Sequence, residues 1–488
     1  MPLSPAPLLP GTSPLTPPGA QPPSRGAQRV AALVAIPLLV VLLIVGQTFL
    51  PQLLFLAPGL QAQAAISQPG QGGALFQGFQ YPWDRQQGST GGYNSPMSLQ
   101  NMQSQAHDFH MNAVIIPIVA DMPDPSNGYI AWRVVDKDDM HTLPDADYAK
   151  AINDAKTAGL VPILELQVQV AGGQGSASVG AAWSDSVSQN GIGVSGSTVP
   201  QPIGKLEKQW FDSYSAFAVH WAQISATYKL PYFIIGDGLT SVSYDTSFTS
   251  YKNDPKGRDR TTAGEPPCTN GRRDCSWRHV IHALRQASYL TLSDHRSQSG
   301  ASYTGKLIYA ANWTGAAAGG ATASEFDHVT WWDALDYIGV DANFPLISNQ
   351  GAPTQDVLTS AWHGQGPSVG NQGDIYSKLE KVADAAQRPI IFTSVEYDSA
   401  TGASSGNPTP QEDDTEQLLD MQALLLTFTG TSWWAGVFWY ADWPRAPRSA
   451  QPYWPTLGNW AGDDLAHAKD AGKWLATFYK PSPIPCGC

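Results

Sequence analysis

Charge is what this chain of 488 residues has least of. Lys, Arg, Asp and Glu together supply 14% of it, with a formal net charge of −13, whereas a typical soluble domain carries about a quarter. No run of lysines and arginines occurs, which argues against a nucleic-acid partner, because neutralising phosphates needs a basic footprint. Cysteine is sparse too. Of the four, Cys268 and Cys275 share one polar loop, PPCTNGRRDCSW, and Cys486 and Cys488 end the chain as CGC. Short C-x-x-C hooks are missing, so disulfides are favoured over a zinc site. No phosphate-cradling glycine signature follows a predicted strand, and no cofactor or metal is expected. His107/His110 and His279/His282 are spaced three apart on predicted helices, but without an accompanying carboxylate they read as packing or surface residues. Gly366-Pro367-Ser368-Val369-Gly370 has the G-x-S-x-G spacing of a hydrolase elbow; it lacks the strand before and the helix directly after that such an elbow needs.

What is present begins with an unusual leader. The first 25 residues hold nine prolines and no acid, a composition that cannot bury a core and is expected to be a disordered tail. Arg25 and Arg29 then precede an apolar stretch from Val30 to Val45 that weakens towards Leu56. Its length suffices to cross a bilayer, and the arginines favour a cytoplasmic N-terminus. Ala62-Gln63-Ala64 behind a Pro-Gly break fits a signal-peptidase site. Both a retained anchor and a cleaved signal fit, and either implies membrane engagement through this segment and export of the rest. In an exported chain a Cys268–Cys275 disulfide is expected; a Cys486–Cys488 pair would close a strained ring.

From about residue 74 short apolar runs alternate with helix-period runs. Strands are predicted at 74–81, 112–119, 160–168, 231–238, 306–313, 336–344, 388–397 and 434–443. Several are almost wholly apolar in their first half, as strands buried on both faces are. Helices are predicted at 145–159, 207–229, 278–290, 374–387, 414–428 and 465–479. This alternation describes a (β/α)8 TIM barrel, an α/β fold, preceded by a disordered tail and one membrane-spanning or signal segment. The expected organisation is a tail at 1–29, the apolar segment at 30–56, a linker at 57–73, the barrel at 74–480 and a short tail at 481–488.

Acids collect near the strand ends: Asp84, Asp121, Glu165, Asp237, Asp341, Glu396 and Asp442. Aromatic residues gather there too, among them Trp83, Trp313, Phe344, Tyr397, Trp439 and Trp443. In a barrel of this kind those ends build the active site. Carboxyl groups beside flat rings suit sugar chemistry: the acids protonate a glycosidic oxygen or stabilise an oxocarbenium-like centre, and the rings stack on apolar sugar faces.

The segments GFQYPWD, FIIGDGL, LIYAANW, WWDALDYIGVDANFPL, PIIFTSVEY and AGVFWYADW, in this order, resemble glycoside hydrolase family 113, a clan A barrel family that includes β-mannanases. The likeness covers roughly residues 76–443. It implies a retaining mechanism, with an acid/base glutamate after strand four and a nucleophile glutamate in strand seven. Those two positions fall here on Gly238 and Ser394. Carboxylates stand nearby, at Asp237 and Glu396, and these are the candidate catalytic residues. On an ideal strand Asp237 points away from the face of Gly238, and Glu396 shares Ser394's face about 6.6 Å further on. A retaining pair needs its carboxyl groups roughly 5–5.5 Å apart. Candidate substrate-binding residues are Trp83, Asn312, Trp313, Asp341, Tyr397 and Trp439.

Three functions fit the sequence: an exported barrel that binds a β-linked, mannan-like polysaccharide with weak or absent hydrolysis; an active retaining glycosidase with relocated carboxylates; and a cell-surface scaffold with no sugar ligand.

Overall fold

The structure is a computed structural model that describes residues 76–82, 93–132, 143–171, 176–179, 205–244, 273–286, 288–290, 297–299, 302–313, 324–348, 351–366, 373–440 and 468–480. The expectations for 1–29, 30–56, 57–73 and 481–488 lie outside these residues. No helix among the described residues is long and apolar enough to cross a membrane.

Eight parallel strands close a barrel in which each pairs with its neighbours in sequence and the first pairs with the last. They are β1 Phe76–Gln80, β2 Ala113–Met122, β3 Val161–Val170, β4 Tyr232–Asp237, β5 Lys306–Asn312, β6 Tyr337–Asp341, β7 Ile390–Val395 and β8 Trp434–Tyr440. The (β/α)8 reading is therefore correct, and each strand falls within three residues of its expected ends.

Two cores hold the barrel. Phe76, Ile115, Ile163, Ile234, Ile308 and Phe438 fill its interior towards the strands' N-terminal ends. The opposite faces of the same strands, with Val114, Leu164, Phe233 and Phe392, pack under the surrounding helices. This two-sided burial explains the unbroken apolar runs. The interior is filled so closely that a Cβ on Gly78 would stand 2.3 Å from the Phe438 ring.

The helices are α1 Met97–His107, α2 Asp145–Thr157, α3 Lys205–Thr227, α4 Arg273–Gln286, α5 Gln355–Trp362, α6 Ile375–Ala386, α7 Asp414–Phe428 and α8 Asp470–Phe478. The helix expected at 278–290 instead spans α4, and Ser288–Leu290 pairs antiparallel with Ser297–Ser299. Helix α5 was not expected, and α1 was expected only as the helix carrying His107 and His110, without bounds. In α1 the reason is compositional: Ser98, Asn101 and Gln105 are buried beside Met102, so its inward face carries little apolar periodicity. His107 closes α1, and His110 lies beyond it at φ 55°, so these two histidines do not share a helix. His279 and His282 do, in α4.

Candidate active site

The interior face of the barrel turns polar at its C-terminal end. Along β3, Val161 and Ile163 belong to the inner core, and the same alternation carries Glu165 and Gln167 inward above them. Glu165 is wholly buried. Gln167 uses its side-chain amide to join two acids, with Nε2 donating to Glu165 Oε2 at 2.9 Å and to Asp237 Oδ2 at 2.7 Å.

Asp237 reaches that amide because β4 is irregular. Its pairing with β5 shifts between Ile234 and Asp237. The shift turns Asp237 into the barrel, where strict alternation places it outside. The expectation that Asp237 points away from the site is thereby corrected. It is half-buried, whereas Asp341, which ends β6, is 8% exposed. The two carboxyl groups act on each other electrostatically. Thr393 Oγ1 donates to Asp341 Oδ1 at 2.9 Å, and Gln80 Nε2 donates to the Thr393 carbonyl at 3.1 Å. A chain of polar groups thus crosses the barrel mouth from β3 to β4, β6, β7 and β1.

The electrostatics of this chain follow from burial, and no lysine or arginine among the described residues acts on it. Burial raises the Asp237 carboxyl, and the neighbouring Asp341 and the Gln167 amide draw it partly back. Burial, then the neighbouring Asp237 carboxylate and the charge of Glu165, push Asp341 well above the ordinary range. Glu165 is held up by burial and by Asp237.

Next to Asp237, Gly238 adopts φ +57°, and a Cβ there would stand 2.8 Å from Asn312 Nδ2. That amide donates to the Gly238 carbonyl at 3.3 Å and to Thr240 Oγ1 at 3.1 Å. Beneath lies Glu325, wholly buried. Its carboxylate accepts from Tyr309 Oη at 2.6 Å, Thr240 Oγ1 at 2.8 Å and the Asn312 backbone N–H at 2.9 Å. Burial raises its pKa. Glu325 was missed in the sequence because it sits in a loop, ASEFDHV, without the strand-end position that marked the other acids.

On the opposite side, β7 ends at Val395. Ser394 is half-buried and pairs in register with Asp341, while Glu396 is exposed past the strand's end. The Glu396 backbone N–H donates to Asn343 Oδ1 at 2.7 Å. The ideal-strand placement of Glu396 above Ser394 therefore does not apply. Tyr397 is 5% exposed, its phenol raised by burial and by the Asp420 charge. Trp439 is 2% exposed and donates from Nε1 to Tyr479 Oη at 3.0 Å. Neither ring offers a face to solvent, contrary to the expectation that they line a sugar site. Trp313 does remain half-exposed, its ring 5.8 Å from that of Phe344. The mouth thus brings together Asp237, Asp341, Asn312 and Trp313.

Trp83, Asp84, Asp442, Trp443, Cys268, Cys486 and Cys488 lie outside the described residues. Cys275 is buried in the first turn of α4. No cluster of three or more His, Cys, Asp or Glu side chains able to hold a metal occurs among the described residues.

The family model for Glycoside Hydrolase Family 113 matches residues 79–247 and 268–452. Among curated proteins none matches the chain. Of solved structures, the GH113 β-mannanase AaManA from Alicyclobacillus acidocaldarius, in complex with ManMIm, is 18% identical with a TM-score of 0.55, over 85% of this chain and 98% of the other. A complex structure of a GH113 β-1,4-mannanase is 16% identical with a TM-score of 0.54, over 83% of this chain and 99% of that one. At these identities the structural likeness speaks for the fold.

Proposed function

The chain belongs to glycoside hydrolase family 113, and on that premise we propose that its barrel binds a β-linked, mannan-type polysaccharide and hydrolyses it weakly or not at all. The observation that carries this reading is the space at Gly238. The resemblance puts the acid/base glutamate there, yet the backbone is left-handed and a Cβ would come within 2.8 Å of the Asn312 amide. The nucleophile position falls on Ser394, which cannot supply a carboxylate. Losing both groups removes leaving-group protonation and covalent catalysis together. Binding needs neither: Trp313, Asn312 and Asp237 are all half-buried and keep part of their surface open at the strand ends. The two mannanases named in the structural matches support the choice of sugar.

The test is calorimetric titration with β-1,4-mannohexaose beside a hydrolysis assay on mannan and aryl β-mannosides. Binding without turnover is expected. Efficient hydrolysis by the wild-type protein would sink the reading. In its place would stand a glycosidase with relocated carboxylates, for which the partly exposed, raised Asp237 and the exposed Glu396 are the candidates; Asp237→Asn or Glu396→Gln would then abolish cleavage. A chain that captures no glycan on an array is the scaffold instead.

The location follows from the leader: the barrel is exported, and either stays attached by residues 30–56 or is released by cleavage. Protease added to intact cells should degrade an anchored barrel; a barrel recovered intact from the cytosol refutes export.

A further inference from the structure

A slip in β4 decides which way Asp237 points, but a slip alone does not hold a side chain still. The pairing of β4 with β5 shifts between Ile234 and Asp237, and Gly238 follows at φ +57°. Asp237 is thus the last strand residue before a left-handed turn, and it is half-buried. A side chain in that place keeps its rotamer freedom unless a partner orders it.

The donor that meets it is Gln167, from the neighbouring strand β3. Gln167 Nε2 donates to Asp237 Oδ2 at 2.7 Å and to Glu165 Oε2 at 2.9 Å. An amide nitrogen carries two hydrogens, so both are spent, one on each acid. With its oxygen and nitrogen exchanged, the same amide would set a carbonyl against those two carboxyl oxygens. Both contacts would then lack a donor unless each acid were protonated. The two acids therefore fix which end of the Gln167 amide faces Asp237.

Glu165 is costly to the fold. It is wholly buried, and its Oε1 has no hydrogen-bond partner among the described residues. A buried polar oxygen left unpaired lowers stability, and an apolar side chain in the same place avoids that cost. What Glu165 contributes in return is the orientation of Gln167. Gln167 in turn occupies Oδ2 of Asp237, which leaves Oδ1 to accept from a ligand.

We propose that Glu165 and Gln167 are positioning residues: Glu165 orients the Gln167 amide, Gln167 pins Oδ2 of Asp237, and Oδ1 is thereby held at the mouth as an acceptor for sugar hydroxyl groups. This rests on the sugar-binding reading above and names the residues that prepare that site. A neutral, hydroxyl-rich sugar carries the donors that such an oxygen needs. Pinning Asp237 in advance removes an ordering cost from each binding event. Glu165 and Gln167 act only through Asp237 and do not touch the sugar.

The test is a double-mutant cycle on the full-length protein, read by calorimetry with β-1,4-mannohexaose. Gln167→Met keeps the side-chain length and removes both donors. Affinity is expected to fall roughly fivefold, and roughly tenfold for Asp237→Ala. In the double variant the loss should match that of Asp237→Ala alone within about twofold, because Gln167 then has nothing to hold. Additive losses overturn the proposal, since Gln167 would then bind sugar itself or only support the barrel. Unchanged affinity in Gln167→Met overturns it too. Glu165→Leu separates positioning from packing. It removes the unpaired buried oxygen, so the melting temperature should hold or rise while affinity falls roughly threefold. A lower melting temperature with unchanged affinity would make Glu165 a packing residue and overturn its part.

Carboxyl carbon NMR of the free protein reads the same arrangement without sugar. A donor to a carboxylate favours its charged form, so the Asp237 titration should move upward in Gln167→Met. Asp341, Glu165 and Tyr214 also interact with Asp237, and all three are unchanged in that variant. An Asp237 titration that does not move overturns the proposal. If the wild-type protein binds no mannohexaose while the Asp237 titration moves as expected, the sugar reading fails and Gln167 stands as the group that positions Asp237.

Discussion

Asn312 Nδ2 lies 2.8 Å from the point where a Cβ on Gly238 would stand. The barrel is therefore built around the absence of a side chain at this position. Gly238→Ala should cost about 1–2 kcal/mol for the left-handed backbone alone, and more as the Asn312 amide is pushed off the Gly238 carbonyl and Thr240. The check is the urea midpoint at constant m-value. Simple restoration of the family pair, Gly238→Glu with Ser394→Glu, should yield a destabilised protein with little mannan cleavage. Adding Asn312→Ala clears the space, and only that triple variant should gain activity. Equal activity in the double variant would show that Asn312 yields easily.

The strand count and order were legible because the strands are buried on both faces, so continuous apolar runs stand out against amphipathic helices. The position of Asp237 was not legible. A one-position slip between Ile234 and Asp237 reverses which face a side chain takes, and nothing in IIGDGL announces it. Trp439 and Trp313 look equivalent as strand-end tryptophans, yet one lies under α8 and the other at the mouth. Which face a ring takes at a strand end depends on where the alternation stops, and the sequence leaves that boundary open by a few residues.

Glu325 ties Thr240, after β4, to Asn312 at the end of β5, so its replacement should separate shape from hydrogen bonding. Glu325→Gln keeps one oxygen acceptor, enough for Thr240 and the Asn312 N–H, and turns its NH2 towards the Tyr309 hydroxyl, which can accept; it is expected to cost about 1–2 kcal/mol. Glu325→Leu leaves those hydroxyls and the Asn312 N–H without a buried acceptor and should cost roughly 3 kcal/mol or more. Chemical denaturation of the two variants decides. Equal losses would mean that the carboxylate does not organise the loop.

Stability should fall as pH rises out of the acid range. Burial raises Glu165, Asp237, Glu325, Asp341 and Asp420 in the folded state. A carboxyl with a raised folded pKa binds more protons folded than unfolded, so stability declines from the unfolded value upward. That decline begins near 3.8 for the aspartates and 4.5 for the glutamates. Asp336 acts in the opposite sense: burial lifts it, but hydrogen bonds from Lys306 and the Leu307 N–H outweigh that and hold it below 3.8. Its contribution is present at higher pH and is lost on acidification through its folded pKa. A maximum in mildly acidic solution is expected in thermal melts across pH; a maximum above neutrality would contradict the raised cluster.

The Cys268–Cys275 disulfide remains a proposal about the loop before α4. Its basis is an even cysteine count, the export that the leader predicts, and the turn-forming Asn270-Gly271 between the two residues. Non-reducing peptide mapping of protein recovered from its native compartment should find the cross-linked pair. Alkylation of both thiols without prior reduction would rule it out.

Trp313 and Trp439 give the sharpest contrast between binding and packing. Trp439 is 2% exposed with its Nε1 bound to Tyr479 Oη, so Trp439→Ala opens a cavity beside α8 and should cost about 3–5 kcal/mol of stability. Trp313 is half-exposed beside Phe344, and stacking of a sugar on it would contribute on the order of 1 kcal/mol. Trp313→Ala should therefore weaken mannohexaose binding roughly fivefold, the equivalent of that energy, with a small change in melting temperature. Trp313→Phe should restore part of the affinity, because a smaller ring still presents a flat apolar face. If Trp313→Ala lowers stability and leaves affinity untouched, the ring is a packing residue and the sugar runs elsewhere over the mouth.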